Sequence, residues 1–281
     1  MKRRTVIQTA AAFASASALS CSQTRGAVGR PASIACVPNA HGHYSFIRGI
    51  APYSGGAVAS DGYEIERATI RHPVPLHDGF SLIERHLAAR NLPKQSLCGL
   101  ELRSPRPFTF RGFSDFNAGY IDVLRSWNVL LEGGLNPVAR TNVAPEVHPP
   151  AQPSVYGFSY VAASAGAPRS FVVAGSGELP EGSLDARDVV RSGETSPEAM
   201  AEKARFVADR MSGRLAGLGV SWADVTAIDV YTVHDIAPFL VAGLLKPCAA
   251  NAVVWHYARP PIEGLEFEMD ARGVRREIVL G

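Results

Sequence analysis

The chain has 281 residues, 46% of them hydrophobic and 19% charged, with a formal net charge of +2. This length supports one large domain or two of ordinary size. The near balance of charge excludes a bulk electrostatic case for binding nucleic acid or a membrane surface.

The first residues, MKRRTVIQTAAAFASASALSCS, combine a basic start (Lys2, Arg3, Arg4) with an Ala-rich run too short and too weakly apolar to span a bilayer. Ala16-Ser17-Ala18 has the small-x-small form of a cleavage site. Adjacent arginines followed by Val6 and Ile7 resemble a twin-arginine signal. Residues 1–30 are therefore expected to be a targeting segment leading to the periplasm, with a cytoplasmic protein as the alternative.

Two halves of similar length follow, 31–150 and 151–281, divided by the Pro-rich stretch 145–153 (PEVHPPAQP), which suits a rigid loop rather than a helix. In the first half GYEIERATI is strand-like. GFSLIERHLAARNL has helical spacing, with Asp78 as a plausible N-cap. SLCGLELR is a strand, SDFNAGYIDVLRSW a helix capped by Ser114, and ARTNVAPE and SVYGFSYVAA are strands. The second half repeats this order. SFVVA is a strand. A helix starts at Ser196 as N-cap with Pro197 in its first turn, places Ala204, Val207, Met211 and Leu215 on one face, and stops at Gly219. The strand AIDVYTV, a short helix (APFLVAGLLK) and the strands NAVVWHYA and LEFEMDA complete it. Two copies of one pattern suggest internal duplication. The fold class expected is α/β (α+β): two tandem modules, each a mixed sheet covered by helices on one face, with the other face buried by pairing of modules or by oligomerisation.

Four cysteines, Cys21, Cys36, Cys98 and Cys248, form no CxxC pair and have no spaced histidine set beside them, which argues against a zinc site. Cys98 and Cys248 lie in apolar surroundings and read as small buried hydrophobes. Export would leave the disulfide state of Cys36, Cys98 and Cys248 open.

The element order and several short motifs resemble the RidA/YjgF-like superfamily. AGSGEL (174–179) is similar to that group's strand-end Ser-Gly-Gln motif, DVTAIDVYTVHDI to its central strand, and LEFEMDA to its glutamate-bearing closing strand. IAPYSGGAV (50–58) resembles its Gly-Pro-Tyr opening and ARTNV (139–143) its Ala-Arg-Ser segment. RSGETSPEAMAEKARFV and WHYARPPIEGLEFEMD resemble the two-module 2-aminomuconate and 2-amino-5-chloromuconate deaminase branch. The resemblance implies chorismate-mutase-like modules, a homotrimer with ligand clefts between modules, a small carboxylate substrate, and cofactor-free hydrolytic release of ammonia from an enamine.

It also implies site residues. Arg140 maps to the family's carboxylate-clamping arginine, Glu266 to its water-orienting glutamate and Tyr53 to its pocket tyrosine. The place matching Arg140 in the second half, near Asn251 and Ala252, has no arginine, and the strand around Val155 and Tyr156 has no acid. Neither half holds a complete set, as expected if two modules divide the duties.

From the residues themselves, a guanidinium can grip both oxygens of a carboxylate. Arg259 in HYARPP and Arg111 in FTFRGF are candidates for a second carboxylate, with packing against aromatic rings as the competing account. Glu268, two residues after Glu266, is expected on the same strand face, where two acids can share protons. Ser176 sits in Gly-Ser-Gly, where backbone can approach a ligand closely, and is not read as a nucleophile. His234 and His256 are possible proton shuttles or hydrogen-bonded structural histidines. Two other functions compete: a chorismatase-like hydrolase of an enol ether, and a small-acid binding protein without turnover.

Overall fold

A computed structural model describes residues 35–183, 185–250 and 252–281. The N-terminal segment read as an export signal, Cys21 and Asn251 lie outside the described residues.

Two mixed sheets form the framework. In the first half, β4 (Tyr63–Pro75), α1 (Leu76–Ala89), β5 (Leu97–Arg103), α2 (Phe110–Ser126), β6 (Ala139–Pro145) and β7 (Ser154–Ala163) run in chain order. Their strands lie side by side as β4-β7-β5-β6. In the second half, β8 (Phe171–Gly177), α3 (Pro197–Gly217), β9 (Ala227–Tyr231), a six-residue π-helical turn (Leu240–Leu245), β10 (Val254–His256) and β12 (Glu268–Gly273) lie as β8-β12-β9-β10. Both copies thus have the spatial order first, fourth, second, third. In both, the second and third strands are parallel and the other neighbours antiparallel. The duplication expected from the element order is present in the hydrogen bonding.

The sheets do not divide at the Pro-rich stretch. β7, beyond it, belongs to the first sheet. The chain ends also cross over: β1 (Cys36–Asn39), β2 (Tyr44–Ile47) and β3 (Gly56–Ala59) extend the second sheet through β3–β8 pairing, whereas β11 (Ala258–Arg259) and β13 (Arg276–Leu280) extend the first through β6 and β4.

Burial explains the layering. α1 and α2 cover one face of the first sheet through Phe80, Ile83, Leu87, Tyr120 and Leu124. α3 covers one face of the second through Ala204, Val207, Met211 and Leu215, four of the positions expected from its spacing. The opposite faces bury each other: Phe46, Ala57, Val172 and Ala174 of one sheet pack with Ile65, Cys98, Ala139 and Val161 of the other. Pairing of modules within the chain therefore covers these second faces. Cys98 and Cys248 are fully buried in apolar clusters, and Cys36, Cys98 and Cys248 are free thiols.

Helix ends follow local chemistry. Ser196 caps α3 by accepting from the Ala199 N–H at 3.2 Å, with Pro197 as the first residue, and Gly219 beyond its end has φ +71°. α2 begins five residues earlier than expected. Thr109 is its cap, accepting from the Gly112 N–H at 3.0 Å, while Ser114 lies inside and donates to the Phe110 carbonyl. α1 starts straight after Pro75, so Asp78 falls in its first turn rather than at the cap, where it complements the helix dipole.

Candidate functional site

β6 carries Arg140 and β12 carries Glu268, and both line one cleft between the modules. Its walls come from the β2–β3 connection (Tyr53), the ends of β8 and β12, and the inward face of α3 (Arg210, Arg214). It encloses about 680 Å³ including its open mouth.

Arg140 is 3% exposed, and neither terminal nitrogen has a hydrogen-bond partner among the described residues. Four rings surround its guanidinium, with centroids at 4.8 Å (Tyr53), 4.8 Å (Tyr120), 5.4 Å (Phe113) and 5.8 Å (Phe116). The rings stabilise the cation and fix its plane while leaving its donors unspent. Burial lowers its pKa, against the opposing pull of Tyr120, Tyr53 and Glu268.

Glu268 is 3% exposed, and among the described residues its side chain makes no hydrogen bond. Burial, then repulsion from Asp270 and Glu178, pushes its carboxyl well above the usual range, more than Arg214 and Arg140 offset. Burial therefore favours its protonated form. The backbone approaches it closely: a methyl group on Gly175 would lie 2.1 Å from Glu268 Oε1 and 3.1 Å from Thr141 Cγ2, so an alanine there displaces the carboxyl. The Gly175 N–H donates to Thr141 Oγ1 (3.1 Å), which donates to Asp270 (2.7 Å), and Tyr231 also donates to Asp270 (3.0 Å). Asp270 is pushed up to about 8 by burial, then by the nearby Asp229 and Glu101.

Of the residues singled out in the sequence, Tyr53, Arg140, Ser176 and Glu268 meet in this cleft. Burial raises the Tyr53 phenol, which stays neutral and able to donate. Ser176 Oγ accepts from Arg210 Nε at 3.0 Å, so it positions an arginine. Glu266, Arg259 and Arg111 do not line the cleft. Glu266 precedes β12, turns away and pairs with His234 Nε2 at 2.8 Å. Arg259 pairs with Glu146 at 2.8 Å, and Arg111 is 93% exposed beside Asp115. His256 pairs with Asp229 at 2.8 Å, away from the cleft.

Sequence patterning did not single out Arg210, Arg214, Glu181, Glu178 or Asp270. Arg214 had a signal: it falls on the buried stripe of α3, three residues after Met211 and seven after Val207, where a charge needs a reason. Glu178, in the AGSGEL segment, is fully buried with Lys203 (3.1 Å). It accepts from the N–H groups of Glu266 (2.6 Å) and Phe267 (3.2 Å), fixing the chain just before Glu268.

Comparison with known proteins places this geometry among relatives. A family profile described as 2-aminomuconate deaminase CnbZ matches residues 36–278. The 2-amino-5-chloromuconate deaminase of Comamonas testosteroni is 43% identical over 243 residues, 85% of this chain and 96% of that protein. This is the branch that segments 191–207 and 255–270 resemble. Among solved structures, a chorismatase aligns over 85% of this chain and 79% of its own, with 14% identity and a TM-score of 0.42. The YjgF gene product of E. coli aligns over 38% of this chain and 81% of its own, with 18% identity and a TM-score of 0.28.

Proposed function

The chain belongs to the 2-aminomuconate deaminase family, and on that premise we propose that its cleft hydrolyses a small unsaturated amino dicarboxylate such as 2-aminomuconate, releasing ammonia. One observation carries this reading: a buried guanidinium with unspent donors and a buried carboxyl whose pKa is raised by that burial line the same cleft.

Arg140 grips one substrate carboxylate through its two free nitrogens. Glu268 gives its proton to the conjugated carbon of the enamine, producing an iminium. The resulting carboxylate takes a proton from water as the water oxygen bonds to the iminium carbon. Glu268, protonated again, passes this proton to the nitrogen. The C–N bond breaks, ammonia leaves, and the hydroxyl proton returns to Glu268 as the carbonyl forms. Proton count and electron count close without an oxidant, because the conjugated substrate is its own electron sink. Tyr53 donates a hydrogen bond to the tetrahedral intermediate.

The test is incubation of the purified protein with 2-aminomuconate or with chorismate, following ultraviolet loss of the chromophore and assaying ammonia and pyruvate. Ammonia from 2-aminomuconate supports the proposal; pyruvate from chorismate without ammonia favours enol-ether hydrolysis instead. Binding without turnover would make the protein a small-acid carrier. Homotrimeric assembly and twin-arginine export belong to the same proposal, and sedimentation equilibrium and periplasmic fractionation test them.

A further inference from the structure

We propose that Glu181 is a built-in stand-in for the substrate's second carboxylate, which displaces it from Arg210 and Arg214. This rests on the deaminase reading for the substrate's identity, although the subsite itself stands on geometry.

Arg210 and Arg214 lie one turn apart on α3 and both reach the cleft. Each ends on the same carboxylate: Arg214 Nη2 donates to Glu181 Oε1 at 2.8 Å, and Arg210 Nη2 donates to Glu181 Oε2. The arginine side chains are buried, 13% and 4% exposed for Arg210 and Arg214, whereas Glu181 is 48% exposed. The two cations are therefore fixed parts of the wall, and the anion comes in from the solvent side. Their other bonds confirm this. Arg214 Nη1 donates to the Ala174 carbonyl (2.8 Å), and Arg210 bonds Ser176 and the Leu179 carbonyl. Arg214 Nε, buried, has no partner among the described residues, so the pair has more donor capacity than Glu181 uses.

Charge balance points the same way. Three arginines line the cleft against two glutamates, Glu181 and Glu268, and with Glu181 displaced only Glu268 remains to oppose them, an excess of positive charge suited to a dianion. Glu181 sits on the turn after β8, next to Gly182 at φ +78°, with its side chain half exposed to the solvent that an incoming anion would come from. Although burial opposes its ionisation, Arg214 and Arg210 hold its carboxyl below the usual value, so it is a competing anion at any working pH.

Calorimetric titration with trans,trans-muconate, a dicarboxylate without the amino group, and sorbate, the monocarboxylate of the same trans,trans six-carbon diene, tests this. The wild-type protein is expected to favour muconate by about ten-fold or more. Glu181→Gln should tighten muconate by about 3–10-fold and leave sorbate within about two-fold. Arg210→Gln should remove most of the preference for the diacid. Weaker muconate binding in Glu181→Gln, equal binding of the two acids, or no binding of either by any variant overturns the proposal. Unchanged circular dichroism of the variants excludes misfolding. Muconate preference and the Glu181 effect without ammonia from 2-aminomuconate would keep the subsite and remove the deaminase reading. Ammonia release with no Glu181 effect would do the reverse.

Discussion

Replacing Arg140 with methionine should make the protein more stable and less able to bind its substrate. Methionine keeps the length and fills the space among Tyr53, Phe113, Phe116 and Tyr120 without a charge. A buried guanidinium whose terminal nitrogens lack partners costs several kcal/mol of desolvation. Four ring contacts share one cation and so do not add; together they offset about 2–3 kcal/mol. The net gain on removing the charge is about 1–2 kcal/mol, or roughly 2–4 °C in Tm for a chain of this size. Substrate loses two charge-assisted hydrogen bonds, together about 3–4 kcal/mol, or roughly 10²–10³-fold in affinity. Thermal unfolding and calorimetric titration with cis,cis-muconate measure both quantities on one preparation. A variant that melts roughly 5 °C lower, with muconate affinity within about three-fold of wild type, would make Arg140 a structural residue and refute the reasoning.

Further outcomes follow from the same geometry. Glu266→Gln, which loses pairings with His234 and Arg259 outside the cleft, should keep kcat/KM for 2-aminomuconate within about three-fold of wild type. Gly175→Ala forces a methyl group into Glu268 and should destabilise by about 1–3 kcal/mol while lowering kcat by about ten-fold or more. Activity should fall as pH rises through the raised pKa of Glu268, because the acid must be protonated to act. Asp270→Asn removes a neighbouring negative charge, so a pH–rate profile should show that alkaline limb moved to lower pH. The same substitution should flatten the stability profile. Asp270 binds its proton more tightly folded than unfolded, so denaturation at stepped pH should show wild-type stability falling between about 4 and about 8.

The local order of elements was legible because each depends on its own residues: period-two and helical spacing, the Ser196–Pro197 start and the Gly219 stop. The exchange of terminal strands between sheets was not, since pairing of β3 with β8 or β13 with β4 joins residues more than a hundred positions apart and leaves no local pattern. Arg140, Tyr53, Ser176 and Glu268 were identifiable from short motifs. Glu266 was misplaced for a specific reason. Alternation along LEFEMDA assumes strand from its first residue, but β12 begins at Glu268, so Glu266 is in the preceding loop and free to turn to His234. Arg259 and Arg111 drew attention through aromatic and proline neighbours. The cations that join Arg140 in the cleft come instead from α3, where an apolar helix face masked them.

The account stands or falls on Glu268 acting as the proton carrier on an acid held by Arg140. The most direct measurement is ammonia release by Glu268→Gln at saturating 2-aminomuconate, beside cis,cis-muconate affinity of the same variant. The prediction is a fall in kcat of about 10²–10⁴-fold with affinity held within about three-fold. Ammonia release at the wild-type rate would contradict it.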